Sequence, residues 1–179
     1  MNILVDDKKI DFSLNDFPML ISGAEKTGSS FFSVCLLANL LNNGHKVILF
    51  SAHQAAKEEF RSQVGANLDR ALIIDSESED DFIDIIKNIS DLSKRIVLIK
   101  NINSYSRKLF KAVKDLKFII FSGDLDKCQF TDDLLKNNFS SKIFFSGSEK
   151  YPVDGLRLLP RYSGQIFSKK YNGIIKLEV

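Results

Sequence analysis

Cysteine and histidine are scarce in this chain: two of each among 179 residues. Cys35 lies inside an apolar segment, and neither His45 nor His53 has a cysteine neighbour at zinc-ligand spacing. Two such thiols suit reduced cysteines in a cytoplasmic protein better than a disulfide framework. Long hydrophobic runs are missing too. The most apolar stretch, "FFSVCLLANLL", has eleven residues and contains Ser33 and Asn39. It is too short to cross a bilayer and predicts a buried helix, so no membrane partner is expected. The opening "MNILVDDKKIDFSL" has neither the basic start nor the apolar centre of a secretory signal. No excess of one charge exists: 25 basic and 23 acidic residues leave a formal charge of +2. Nucleic-acid binding would therefore need a local basic patch. No internal repeat or low-complexity segment is visible.

What is there fits a globular domain, with 44% hydrophobic and 27% charged residues. Short runs rich in Ile, Val and Phe recur: "MLIS", "KVILFSA", "ALIID", "RIVLIK", "KFIIFS" and "KIFFSG". They are continuously apolar, as strands covered on both faces are. Helical patterns alternate with them, over Ser29–Asn43, Ser78–Leu92, Ser104–Leu116 and Thr131–Asn137. Gly44 supplies a stop after the first. Glu79, Asp80 and Asp81 load the first turn of the second, where negative charge suits the helix dipole. This alternation predicts an α/β fold with a mostly parallel central sheet. The end differs: "GQIFSKKYNGIIKLEV" is two β-prone stretches around "YNG", and Asn172-Gly173 predicts a hairpin turn. The chain reads as one domain over 1–179, with a small N-terminal β-hairpin within 1–16 and a C-terminal one over 162–179.

Between the first apolar run and the first helix stands "ISGAEKTGSSFF". The phosphate-binding P-loop pattern is G-x-x-x-x-G-K-[ST]. Gly23 and Gly28 hold its glycine positions and Ser30 its hydroxyl position, but Ser29 stands where the lysine belongs. Lys26 and Thr27 precede the second glycine. Such a loop presents backbone amides and a helix N-terminus to an anion. The lysine neutralises phosphate charge, and the hydroxyl shares a magnesium ion with an acid on another strand.

By this loop, and by the order of the segments after it, the chain resembles a degenerate member of the RecA/KaiC-like P-loop ATPases. Those segments are "GHKVILFSAHQAAKEEF" after the first helix, then "ALIID", "RIVLIKNI", "FIIFSGD", "KIFFSGS" and the terminal hairpin. The resemblance implies a RecA-like three-layer domain. It also locates three departures. The phosphate lysine is Ser29. The acid that polarises water is replaced within Ala52, His53 and Gln54. The magnesium aspartate is replaced by Lys100, followed by Asn101. Each change removes a different part of the chemistry, and a cation at the metal position repels magnesium. The resemblance implies a pseudo-ATPase that acts as an assembly or regulatory subunit, partnered by itself or another RecA-like chain. Lys169 and Lys170 are the candidates for facing the partner. The ligand implied is ATP or ADP, or a phosphate or sulfate anion, bound weakly if at all and without magnesium.

Two alternatives stay open. "EKTGSSF" also resembles the phosphosulfate loop of cytosolic sulfotransferases, in which the early lysine reaches back to the anion. Lys26 could then serve an NTP- or anion-dependent enzyme, although no second motif for the nucleotide 3′-phosphate is visible. A nucleic-acid-binding module is the other. Arg107, Lys108, Lys111, Lys114 and Lys117 cluster on and just after one predicted helix, and Tyr162, Phe167 and Tyr171 interleave with lysines at the hairpin.

Overall fold

The structure, a computed structural model, describes residues 2–76, 78–145 and 162–178. Its strands are β1 (Asn2–Val5), β2 (Lys8–Ile10), β3 (Met19–Ser22), β4 (Lys46–Ser51), β5 (Ala71–Ile74), β6 (Arg95–Lys100), β7 (Ile119–Gly123), β8 (Ser141–Phe145), β9 (Ser163–Ser168) and β10 (Asn172–Glu178). Its α-helices are α1 (Ser29–Asn42), α2 (Gln54–Val64), α3 (Glu79–Lys87), α4 (Arg107–Val113) and α5 (Thr131–Lys136). All ten strands join one sheet, in the order β2-β1-β10-β9-β8-β3-β7-β6-β4-β5. From β8 to β5 the pairings are parallel; from β8 to β2 they are antiparallel. The α/β class, the mostly parallel sheet and the terminal antiparallel strand pair are as the sequence predicts. The end of the run "KIFFSG" lies outside the described residues.

Strand pleating explains why the apolar runs are continuous. Successive side chains point to opposite faces, and both faces are covered. Met19, Ile21, Val47, Leu49, Ile96, Leu98, Ile143 and Phe145 face one core. Leu20, Ile48, Phe50, Val97, Ile99, Phe121 and Phe144 face the other. α1 and α2 cover the first face, α3, α4 and α5 the second, which makes three layers. α1 buries ten of its fourteen residues because it lies between the sheet and α2. It stops at Gly44, which has φ +96° and donates to the Leu41 carbonyl at 2.9 Å. In the second core Phe50 is stacked between Phe82 and Tyr105, with centroids 4.1 and 5.0 Å away.

Two local expectations need correction. α2 was not expected: its buried residues are only Ala56, Lys57, Phe60 and Val64, too sparse a stripe to stand out. The C-terminal turn is also displaced. Asn172 and Gly173 already lie in β10, opposite Phe167 and Ile166, so the turn falls on 169–171. Ser168 builds it, because its hydroxyl accepts from the Lys170 and Tyr171 amides at 3.2 and 2.8 Å. Gly173 serves a different contact. A Cβ there would overlap the Asp6 carboxylate, which accepts from the Ile174 amide at 2.8 Å.

Candidate functional site

The parallel strands β3, β7, β6 and β4 end along one edge of the sheet, and a cavity of 280 Å³ opens there. Ligands favour such carboxyl ends in open α/β sheets. The loop from Gly23 to Gly28 links β3 to α1 and forms one wall. Gly28 is the residue before α1, with φ +99°, a conformation that suits glycine. Having no side chain, it leaves the start of the fourteen-residue helix without a side-chain cap. The amides of the first turn therefore have no partner within the helix. Lys26 is exposed and also left-handed, with φ +67°. Thr27 turns inward, its hydroxyl donating to the Ala24 carbonyl at 2.8 Å. Ser29, at the lysine position, is 5% exposed, and its hydroxyl donates back to the Gly23 carbonyl at 3.4 Å. That position supplies no cation to the cavity.

The opposite wall carries the cation instead. Lys100 ends β6 with only 1% of its surface exposed. Its ammonium donates to the Ser30 hydroxyl at 2.6 Å, across 70 residues of sequence. Burial pulls its pKa down to about 8, partly offset by Glu59 on α2. Glu59 is itself raised by burial, and Lys100 works against that rise. Asn101 follows in a left-handed conformation with φ +60° and accepts from the Ser51 hydroxyl at 3.2 Å. Ser51 in turn accepts from the His53 amide at 3.1 Å. His53 and Gln54 are exposed at the start of α2; His53 lines the cavity, while Gln54 reaches along the helix to Glu58. The third wall follows β7: Asn103 accepts from the Asp124 amide at 3.1 Å, and Lys127 pairs with Glu25 at 3.0 Å and Asp124 at 3.7 Å. That pairing lowers the pKa of Glu25 and raises that of Lys127.

The structure thus brings together Gly23, Lys26, Gly28, Ser29, Ser30, His53, Lys100 and Asn101 around one cavity. Lys169 and Lys170 are not there. They occupy the turn beyond Ser168, which pairs with Ser141 at the start of β8, whereas Gly164 pairs with Phe145 at the loop end. Four strand residues at ~3.3 Å each put the turn about 13 Å from the loop edge. Both lysines are exposed, and the Lys170 ammonium lies 4.7 Å from the Tyr171 ring centre. Tyr162 instead contacts the loop, its amide donating to the Thr27 carbonyl at 3.0 Å and its ring meeting Phe31 edge-on. Glu59 was missed by sequence reasoning along with its helix. Of the basic cluster on and after α4, Arg107 pairs with Asp133 at 2.8 Å and Lys108 pairs with Asp80, while Lys114 lies 3.8 Å from Asp115.

The P-loop fold implies a magnesium ion between the loop hydroxyl and a strand-end carboxylate. The residues here do not fit one. Magnesium needs an oxygen shell, but the group at Ser30 is an ammonium. Among the described residues no cluster of three Asp, Glu, His or Cys could hold a metal. Among them, too, no helix is long and apolar enough to cross a membrane.

No protein-family profile matches the chain, and no curated protein matches it by sequence. Solved structures do match. The pCW3 conjugation coupling protein TcpA, in monomer form with ATPγS, aligns with TM-score 0.64 and 13% identity over 98% of this chain and 65% of its own. The genome packaging NTPase B204 of Sulfolobus turreted icosahedral virus 2, with AMP, gives 0.59 and 13% over 92% and 98%. The cytoplasmic domain of the Thermomonospora curvata type VII secretion ATPase EccC gives 0.62 and 10% over 99% and 26%. This chain therefore spans less than two thirds of TcpA and about a quarter of the EccC chain. At these identities the likeness concerns architecture alone. With the Gly23–Ser30 loop between its central strand and first helix, the chain has the fold of the P-loop NTPases.

Proposed function

We propose that this protein is a catalytically degenerate P-loop subunit of the RecA/KaiC-like kind, which works through assembly rather than through nucleotide hydrolysis. The observation that carries the proposal is the Lys100–Ser30 contact at 2.6 Å. Phosphoryl transfer depends on charge stabilisation by a lysine and a metal, and on an oriented nucleophile. Here Ser29 supplies no charge, an ammonium meets the hydroxyl that would ligate the metal, and His53 and Gln54 stand where a carboxylate would orient water. Restoring one of these leaves the others missing.

Retained parts favour association. The loop, α1 and the terminal hairpin are intact, and RecA-like domains meet neighbours through those surfaces. Lys169 and Lys170, at the sheet end away from their own loop, could reach only the Gly23–Ser30 loop of another subunit. Such a head-to-tail contact closes into a ring or extends as a filament. The test is steady-state ATP hydrolysis with magnesium. The purified protein should show no turnover above background, and Ser29→Lys should not restore it. Turnover near one per second, about the low end for ordinary enzymes, abolished by Lys26→Ala, would overturn the proposal.

A further inference from the structure

Among the described residues two lysines are buried, and their surroundings differ. Lys57, 3% exposed, has the Asp75 carboxylate 3.7 Å from its ammonium. Lys100, 1% exposed, has no carboxylate within 4.0 Å among the described residues. Its only hydrogen-bond partner among them is the Ser30 hydroxyl, although an ammonium has three N–H donors. Buried charges are ordinarily paired, because an unpaired one loses its solvation without compensation. Lys100 also lines the 280 Å³ cavity, opposite the uncapped start of α1 and beside Lys26. Among the described residues only Glu59, at longer range, offsets this charge, so a contacting counter-charge is left to an anion in the cavity.

Resting on the degenerate P-loop reading above, we propose that the Lys100 ammonium is a tethered cation standing in for magnesium, and that the cavity binds a diphosphate group without any divalent metal. The hydroxyl that a metal would ligate is held by the ammonium, while the remaining N–H groups and the α1 amides receive phosphate oxygens. The other charged groups around the cavity balance. Glu25 and Asp124 are engaged by Lys127. Glu59 is partly buried, and Lys26 is exposed beside the loop, where its charge helps to hold Glu25 ionised and completes the balance. Magnesium would meet Lys100 at close range, where like charges repel by several kcal/mol even at an effective dielectric of about 20. The source of the diphosphate, a nucleotide or inorganic pyrophosphate, is separated by experiment.

Isothermal titration with ADP and with pyrophosphate, near neutral pH, in EDTA and again in excess magnesium, tests this. Binding should be present in EDTA and no tighter with magnesium. Lys100→Met should weaken it about tenfold to a hundredfold, as expected for losing a charge-assisted hydrogen bond. ADP binding much more tightly than pyrophosphate would identify a nucleotide site; equal affinities would identify a site for the diphosphate alone. Binding that requires magnesium, no binding at millimolar ligand, or undiminished binding by Lys100→Met would overturn the inference. Should that variant fail to fold, the EDTA comparison on the unaltered protein still decides. The hydrolysis assay is independent. Magnesium-dependent turnover would overturn the proposed function, whereas no turnover and no binding would overturn this inference alone.

Discussion

Replacing Lys100 by methionine should make the ligand-free protein more stable. An exposed lysine titrates at 10.5, but Lys100 is brought to about 8 by burial. At 1.36 kcal/mol for each pH unit, holding the charged form in the fold costs about 3 kcal/mol. Methionine keeps most of the buried stem without the charge. Losing the bond to Ser30 gives back about 1 kcal/mol, so the net gain is about 2 kcal/mol at neutral pH. For a chain of this size that is roughly 4–8 °C in melting temperature. The sign with pH comes from the lowered pKa. Between about 8 and 10.5 this site binds more protons in the unfolded chain than in the folded one, so Lys100 contributes a climb in stability across that window, which the buried thiols Cys35 and Cys128, both raised, oppose above about 9 in both proteins. The variant should lack this climb. Lys108 and Lys127, whose pKa values are raised by carboxylate partners, lose their contributions only at still higher pH and do not mask it. Urea unfolding of both proteins at a series of pH values from neutral to mildly alkaline measures the difference. A variant that is less stable at neutral pH, with a climb equal to the wild type's, would refute the reasoning.

Four further outcomes are expected. Sulfate or ADP should raise the melting temperature by linkage, and Lys26→Ala should reduce that rise; no shift at millimolar ligand would mean a loop kept only for its fold. Phe50→Ala should cost about 3–5 kcal/mol in urea unfolding, since Phe50 is fully buried between two rings; a loss under about 1 kcal/mol would contradict that packing. Gly173→Ala should lower the melting temperature by displacing the Asp6 carboxylate from the Ile174 amide, and a neutral result would place Asp6 elsewhere. Light scattering over a concentration series should reveal an oligomer that Lys169→Glu with Lys170→Glu dissociates; a strict monomer with no recoverable partner would remove support for assembly.

Legibility from sequence followed local physics. β3 and β6 are bounded as read, because strands covered on both faces leave unbroken apolar runs. The strand–loop–helix placement of Gly23 to Ser30 was also legible, since glycine spacing and the apolar α1 occur side by side. α2 was not, although Ala56, Phe60 and Val64 at four-residue spacing, with Gly65 after them, carry a weak signal. With it went Glu59, whose charge acts on Lys100 from α2 to the end of β6. The Asn-Gly pair misled because tertiary contacts outweighed it: Ser168 organises the turn and Asp6 claims the space at Gly173. At Lys100 the resemblance implies a cation where the family has its magnesium aspartate. Its burial and its bond to Ser30 are long-range facts that no local pattern carries.

Diffraction from crystals grown with ADP and manganese, which takes magnesium's place and scatters anomalously, tests the central claim most directly. The account predicts a phosphate oxygen within hydrogen-bond distance of the Lys100 ammonium and no anomalous peak at Ser30. A manganese peak about 2.1 Å from the Ser30 hydroxyl, with Lys100 swung out of the cavity, would contradict it.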